Sequence, residues 1–365
     1  MDLIWPATKP ARSCHTQERL TTLLDGQTKC PRIVLIAGAS SLTTPIGDTR
    51  HTTCSVLLGA ALRCRQERMR LEASCELTFE SHDENTPVVL MLRTQSSESQ
   101  RVVHDALSIT PTLQTRQYRD MLGNSCDGLV APAGELVVRS EIVANVDPHV
   151  MVDVAARRTP FARLPAEALH YTLASRYCPA DKLQQLAGEV TRGCQTGYPE
   201  VQAICDYVRG HLKYQYGVSD GSTDALDTLQ ERAGVCRDFA HVAIALCRSI
   251  DIPARMVAGY LHGREPMDMH AWFEAHLGDR WYTFDPSEPQ LRGGRIVLAH
   301  GRDAADIAFV TSYGNLTLRS MAVSVREQLC TAIGSGRRSA AVRDVADAPR
   351  PALLRMVEPP RQRRA

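Results

Sequence analysis

Along residues 71–79 every second side chain is apolar: Leu71, Ala73, Cys75, Leu77 and Phe79 alternate with Glu72, Ser74, Glu76 and Thr78. A period of two predicts a half-buried strand. Further strand signals run to residue 147. They are PVVLMLRT (87–94), QYRDML leading into the Gly123-Asn124 turn, Cys126 to Ala131, and ELVVRSEIVANV (135–146) after the turn Pro132-Ala133-Gly134. Strands and turns without an intervening helical period predict a small antiparallel β-domain over residues 69–150.

The period then changes. LPAEALHYTLASRYC (164–178), PADKLQQLAGEV (179–190) and PEVQAICDYVRGHLKY (199–214) read as helices. In the last, Val201, Ile204, Cys205, Val208 and Leu212 form the apolar stripe, and Pro199 suits a first helical turn. Another helix opens at Cys236, with an apolar face of Phe239, Ala240, Ala243, Ile244, Cys247 and Ile250. Three strands are expected beyond it, over 254–261, 270–277 and 280–285. Together they predict an α+β domain over residues 160–325, with helices packed on an antiparallel sheet.

The two ends lack such patterns. Residues 1–68 are broken by Pro6, Pro10, Pro31 and Pro45, and are expected to be a disordered extension dispensable for folding. Their run IVLIAGASSLTTPIG lacks the GK[ST] ending of a phosphate loop. Residues 330–365, rich in Arg and Pro, predict a disordered, solvated tail.

Charge narrows the partners. With 42 basic and 41 acidic residues the net charge is +1, which gives no global case for nucleic acid or an anionic membrane. The longest apolar runs fall short of the roughly 20 residues a membrane-spanning helix needs. The 12 cysteines form no CxxC pair, so free thiols in a reducing, cytoplasmic compartment are expected.

Cys236 is where chemistry enters. A helix N-terminus favours thiolate over thiol, and the position starts the apolar face, so the sulfur should point into the fold. Read alone, it fits a buried structural thiol as well as a nucleophile. A base within reach decides between them. A two-residue hairpin at Gly278-Asp279 would pair Leu277 with Arg280, Trp272 with Asp285 and His270 with Ser287. His270 and Asp285 then lie one diagonal step apart on one face, about 7–8 Å at the backbone. A slip of one residue would separate them. That face carries His270, Trp272, Glu274, His276, Trp281, Thr283 and Asp285, whereas Ala271, Phe273, Ala275, Leu277, Tyr282 and Phe284 are core material. On a polar face near a strand end, Asp285 is expected to contribute little to stability. Thiol, imidazole and carboxylate are the nucleophile, base and orienter of covalent acyl transfer. His241, His262 and His276 read as ordinary histidines, and no ligand pair has zinc-finger spacing, so no metal or cofactor is expected.

GVCRDFAHVAIALCRSIDIPARMVAGY followed by MHAWFEAHLGDRWYTFDPS closely resembles the core of transglutaminase-like proteins, which share their catalytic geometry with papain-type cysteine proteases. The family's G-x-C, H-A-W-x-E and W-x-x-x-D blocks place its catalytic residues on Cys236, His270 and Asp285. LPAEALHYTLASRYC and RDMLGNSCDGLVAPAGELVVRS resemble bacterial members with an N-terminal β-domain, so the likeness covers about residues 69–325. It implies a papain-like core, an acyl thioester on Cys236 and a peptide or protein amide substrate. The oxyanion hole would use the Cys236 backbone N–H and a second donor from Gln230, Tyr214 or Tyr216, with Trp272 and Trp281 in the substrate cleft. Some animal relatives require calcium, but nothing here resembles an acidic calcium loop. Water as acceptor makes a cysteine peptidase or amidase, the leading expectation; an amine makes a protein–glutamine cross-linking enzyme. A non-catalytic binding scaffold has no need of all three residues. Oligomeric state is not legible.

Overall fold

The alternation that opens the pattern is a strand, β1 (Met69–Ser81), with Leu71, Ala73, Cys75, Leu77 and Phe79 all buried. The computed structural model describes residues 2–4, 68–328 and 354–355. At the two ends it gives only short strands, Asp2–Ile4 and Leu354–Arg355, and the rest of the expectations for 1–68 and 330–365 lie outside the described residues.

After β1 come β2 (Thr86–Leu90), β3 (Gln100–Thr110), β4 (Arg116–Arg119), β5 (Ser125–Ala131) and β6 (Gly134–Val146). β1 pairs antiparallel with β6 from Met69↔Val146 to Ser81↔Gly134, and β3 lies on the far edge of β6. β3 gives no clean sequence signal because its side chains do not alternate between core and solvent, and its register shifts between Val102 and His104. A bulge on a partly covered strand erases the period of two.

The expected 164–178 helix is not formed. A single α turn, Ala166–Leu169, lies between 3-10 turns at Phe161–Arg163 and His170–Thr172, and Leu173 is extended. The reason is tertiary. Arg248 Nη1 donates to Leu173 O and Ser175 Oγ, each at 3.0 Å, and Asp303 Oδ2 accepts the Tyr177 N–H at 2.8 Å. Backbone groups held by other elements cannot also build an i→i−4 ladder. The other helices are α1 (Gln184–Val190), α2 (Tyr198–His211), α3 (Ala225–Glu231) and α4 (Cys236–Arg248).

Behind α4 stands a four-stranded antiparallel sheet in the order β9–β8–β7–β10, made of β7 (Ala254–Leu261), β8 (His270–Leu277), β9 (Arg280–Phe284) and β10 (Arg295–Gly301). α4 packs on β7 and β8, with α1, α2 and α3 against its other sides. Every residue of α4 is therefore buried, including Arg237, Asp238, His241 and Arg248. This corrects the expectation of one apolar face. The second face of the sheet is not solvated either, since His270, Trp272, His276 and Asp285 are all buried. Side chains from the N-terminal strands reach this sheet along β10, where Gln100 and Asn124 exchange hydrogen bonds with the backbones of Val297 and His300 at 2.8–2.9 Å.

The chain finally returns to where it began. β11 (Val310–Ser312) pairs with β2, and β12 (Leu316–Glu327) runs along β1 from Leu316↔Ser81 to Glu327↔Leu71. Strands from the span 160–325 thus complete the sheets started by residues 69–146. Helices and antiparallel sheets combine in an α+β architecture.

Candidate active site

Two short segments set up the start of α4. Lys213–Tyr214 runs parallel to Ala233–Gly234, with Tyr214 opposite Gly234. A Cβ at Gly234 would lie 2.7 Å from the Asp238 Cβ, so only glycine lets the chain pass there. Asp238 is the clasp: its Oδ2 accepts the Val235 N–H at 2.8 Å and the Ser219 hydroxyl at 2.5 Å, and its Oδ1 accepts Arg237 Nε at 2.8 Å. Cys236, the first helical residue, is held with its N–H lacking an intrahelical acceptor and the helix's positive end at its sulfur.

His270 opens β8, and Asp285 follows β9. The hairpin register is the expected one, from Leu277↔Arg280 to Phe273↔Phe284, with Gly278 at φ 63° in the turn. His270 Nε2 lies 2.7 Å from Asp285 Oδ2, and neither side chain is exposed. Asp285 Oδ2 also accepts Arg295 Nη2 at 2.9 Å, and its Oδ1 accepts the Ser287 N–H at 3.2 Å and hydroxyl at 2.8 Å. Nδ1 of His270 is buried and makes no hydrogen bond, and after Asp285 the group that acts most on this ring is the Cys236 thiol.

The electrostatics follow from these contacts. Burial alone would push the Asp285 carboxyl up, but the charges of His270 and Arg295, with hydrogen bonds from His270 and Ser287, hold it well below the usual carboxylate range. Burial pulls His270 down; Asp285 and then Cys236 outweigh it and leave the imidazole above its ordinary value. Burial pushes the Cys236 thiol up, yet the neighbouring His270 imidazole, helped by Arg264, brings it below an ordinary thiol. The three shifts agree with a thiolate–imidazolium pair backed by a carboxylate. The contrast with the other buried thiols is sharp: burial raises Cys75 to about 12 and lifts Cys178, Cys205 and Cys247 as well.

The remaining candidates fall in different places. Tyr214 lies opposite Gly234, two residues before the thiol, and the Tyr216 ring meets the Tyr214 ring edge-on at 5.5 Å. Gln230 is exposed on α3 and joins none of the site's hydrogen bonds. Trp272 does not line a cleft. It is 1% exposed, stacked against His270 at 5.9 Å with the Arg295 guanidinium 4.8 Å from its own ring, so it packs the His270–Asp285 pair from behind. Trp281 pairs with His276, six residues and about 20 Å along the strand from His270, and packs on Tyr171, His276 and Arg255. It is also not part of this site.

Sequence reasoning missed Arg264, Asp268, Glu288 and Arg295. Arg264 and Asp268 lie on the irregular link between β7 and β8, and Arg264 donates to Glu288 Oε1 at 2.5 Å and to the Tyr214 hydroxyl at 2.7 Å. Asp268 is buried and pushed up to about 7, chiefly by desolvation, against the opposing pull of the Met269 N–H, Arg264 and His270. No periodicity marks a loop residue as part of a site. Arg264 and Asp268 sit beside the H-A-W-x-E block, and that adjacency was the available signal.

Comparisons with known proteins bear on the family and the fold. A model of the transglutaminase-like superfamily matches residues 184–286, which contain Cys236, His270 and Asp285. A crystal structure of a candidate cysteine protease from Cytophaga hutchinsonii superposes with a TM-score of 0.68 at 31% identity, covering 74% of this chain and 94% of that one. An uncharacterized protein of Mycobacterium leprae is 26% identical over 257 residues, 66% of this chain and 91% of the relative. One from Mycobacterium bovis is 27% identical over 243 residues, 59% of this chain and 77% of the relative. With the sequence blocks, the family match and the shared fold all in agreement, the chain belongs to the transglutaminase-like superfamily.

Proposed function

We propose that the chain is a cysteine peptidase or amidase that cleaves peptide-like amides through an acyl thioester on Cys236. The observation that carries this reading is the buried His270–Asp285 hydrogen bond of 2.7 Å, beside a thiol whose acidity is raised by that imidazole. The likeness to a candidate cysteine protease supports a peptide substrate.

The Cys236 thiolate attacks the amide carbon, forming a C–S bond while the carbonyl π pair moves to oxygen. As the carbonyl re-forms, the C–N bond breaks and the His270 imidazolium gives its Nδ1 proton to the departing nitrogen. His270 then takes a proton from water, whose oxygen attacks the thioester; collapse breaks the C–S bond, releases the acid and restores the thiolate. Asp285 holds Nε2 protonated throughout and balances the imidazolium charge. A reducing, cytoplasmic location belongs to the same proposal, since the chemistry needs a free thiol; fractionation of cells carrying the tagged protein tests it.

The deciding experiment follows purified protein with a mixture of peptides and glutamine-containing peptide amides, with and without a primary amine. Cleavage products and ammonia that disappear in Cys236→Ala are expected. Cleavage that persists in Cys236→Ala refutes the proposal, and amine incorporation exceeding hydrolysis converts it to a cross-linking activity.

A further inference from the structure

A relay of side chains, with Glu288 and Arg264 buried at its centre, leads toward the turn that carries the thiol. Glu288 Oε1 accepts Arg264 Nη1 at 2.5 Å, and its Oε2 accepts Arg292 Nη2 at 2.8 Å. Arg264 Nη2 in turn donates to the Tyr214 hydroxyl oxygen at 2.7 Å, with the guanidinium carbon 5.4 Å from the Tyr214 ring centroid. Glu288 and Arg264 are each 7% exposed. The backbone fixes where the relay ends: Tyr214 pairs with Gly234, two residues before Cys236, and the Gln215 N–H donates to Gly234 O at 2.8 Å. The Tyr214 ring packs on Phe239, three residues after Cys236, at 5.8 Å. It is therefore braced from both sides of the turn that carries the sulfur, and Cys236 is the foremost charged group acting on both Tyr214 and Arg264.

A guanidinium has only donors, so at 2.7 Å it occupies a lone pair of the phenol and leaves the phenol's own hydrogen to be given elsewhere. The positive charge also draws electron density from that oxygen and strengthens the O–H as a donor. Burial, with the thiolate beside it, keeps the Tyr214 hydroxyl protonated well above the ordinary phenol range.

We infer that the Tyr214 hydroxyl is the second oxyanion donor of this site, beside the Cys236 backbone N–H, and that Arg264, anchored by Glu288, is the residue that positions and polarises it. The inference rests on the acyl-thioester reading above. When the Cys236 sulfur bonds the carbonyl carbon and the π pair moves to oxygen, Tyr214 donates a hydrogen bond to that oxygen and keeps its proton; the bond relaxes as the carbonyl re-forms. Tyr216 is the nearest rival, since its hydroxyl is buried and its ring meets that of Tyr214 edge-on at 5.5 Å, but it lacks the Arg264 hydrogen bond that orients the Tyr214 phenol.

The test compares two reactions of the same sulfur. p-Nitrophenyl acetate acylates it through an oxyanion and is read as a burst of p-nitrophenolate; iodoacetamide alkylates it without one. Tyr214→Phe should slow the burst about 100-fold while alkylation stays within about twofold of the parent, and Tyr216→Phe should leave both within about threefold. Arg264→Gln should slow both reactions at neutral pH. Arg264→Lys should restore alkylation but not the burst, because an ammonium keeps the charge and loses the two-pronged geometry. A normal burst in Tyr214→Phe, a parallel fall in its alkylation, or a loss carried by Tyr216→Phe instead overturns the inference. A parent protein that is alkylated at Cys236 but gives no burst overturns the acyl-thioester reading itself, which keeps the two failures apart.

Discussion

Arg295 grips Asp285 on the same oxygen that His270 uses: Nη2 of the arginine is 2.9 Å from Oδ2, and Nε2 of the histidine is 2.7 Å from it. All three side chains are buried, so the carboxylate answers two cations at once. It therefore holds buried charge in the fold as well as orienting the imidazole, which changes the expectation that the sequence alone supports.

Asp285→Asn should therefore lose stability as well as turnover. The amide leaves Arg295 buried without a counter-charge, and breaking such a pair costs about 3 kcal/mol. Turnover should fall about 10–10³-fold, less than for a serine-protease triad because the thiolate–imidazolium pair is charged before attack. Urea unfolding and peptide cleavage measured on the same preparation check both. An unchanged unfolding midpoint would return Asp285 to the polar-face role first expected of it.

Cys236 should be alkylated before the other six described cysteines, and with an unusual pH dependence. Alkylation tracks the thiolate, and the neighbouring His270 imidazole holds the Cys236 pKa below an ordinary thiol. Its rate should therefore reach half-maximum below the ordinary thiol pKa of 9.0, and His270→Ala should move that midpoint upward because burial then dominates. Peptide mass spectrometry after limiting iodoacetamide, repeated across pH, gives both readings. Equal midpoints in parent and variant would refute the coupling.

Asp268 should make stability fall as pH rises through neutrality. Its folded pKa of about 7 lies above the ordinary 3.8, so between those values the folded chain holds a proton that the unfolded chain has lost. That contribution is complete below the ordinary value and disappears as pH climbs past 7. Asp268→Asn, with no proton to lose, should gain melting temperature over the parent from pH 5 to pH 8. A constant difference across that range would show that the carboxyl does not titrate there.

Arg248, 2% exposed at the last turn of α4, donates to four acceptors: Ala254 O, Leu173 O, Ser175 Oγ and Arg302 O, at 2.6–3.0 Å. Lysine has one ammonium and cannot span them. Arg248→Lys should cost on the order of 2–4 kcal/mol and speed hydrogen exchange in residues 173–178. Calorimetry and exchange mass spectrometry together read this; native protection of that segment in the variant would mean that something else holds it extended.

Local physics accounts for what the sequence determined. Alternation over Leu71–Phe79 reports one strand with one buried face, and that strand is present as β1. The Gly278-Asp279 turn sets the register of β8 and β9 because a two-residue loop leaves the strands no other pairing, and this register brings His270 and Asp285 together. Cys236 at a helix start is legible for the same reason: caps and periods are properties of neighbouring residues.

Tertiary structure decided the rest, through contacts between residues distant along the chain. α4 carries the pattern of a one-sided helix but is enclosed on every side, so Arg237, Asp238, His241 and Arg248, which lie outside the apolar face read from the sequence, are buried polar groups. The 164–178 segment has a helical pattern, but Arg248 and Asp303 hold its backbone in other conformations. β11 and β12 complete sheets begun by β2 and β1, a closure that no local signal encodes. Arg264, Glu288 and Arg295 join the site from loops and a strand start, where the order of residues fixes no direction for a side chain. Periodicity measures the free energy of one face of one element; which charges a buried thiol and carboxylate meet is set only when those elements close on one another.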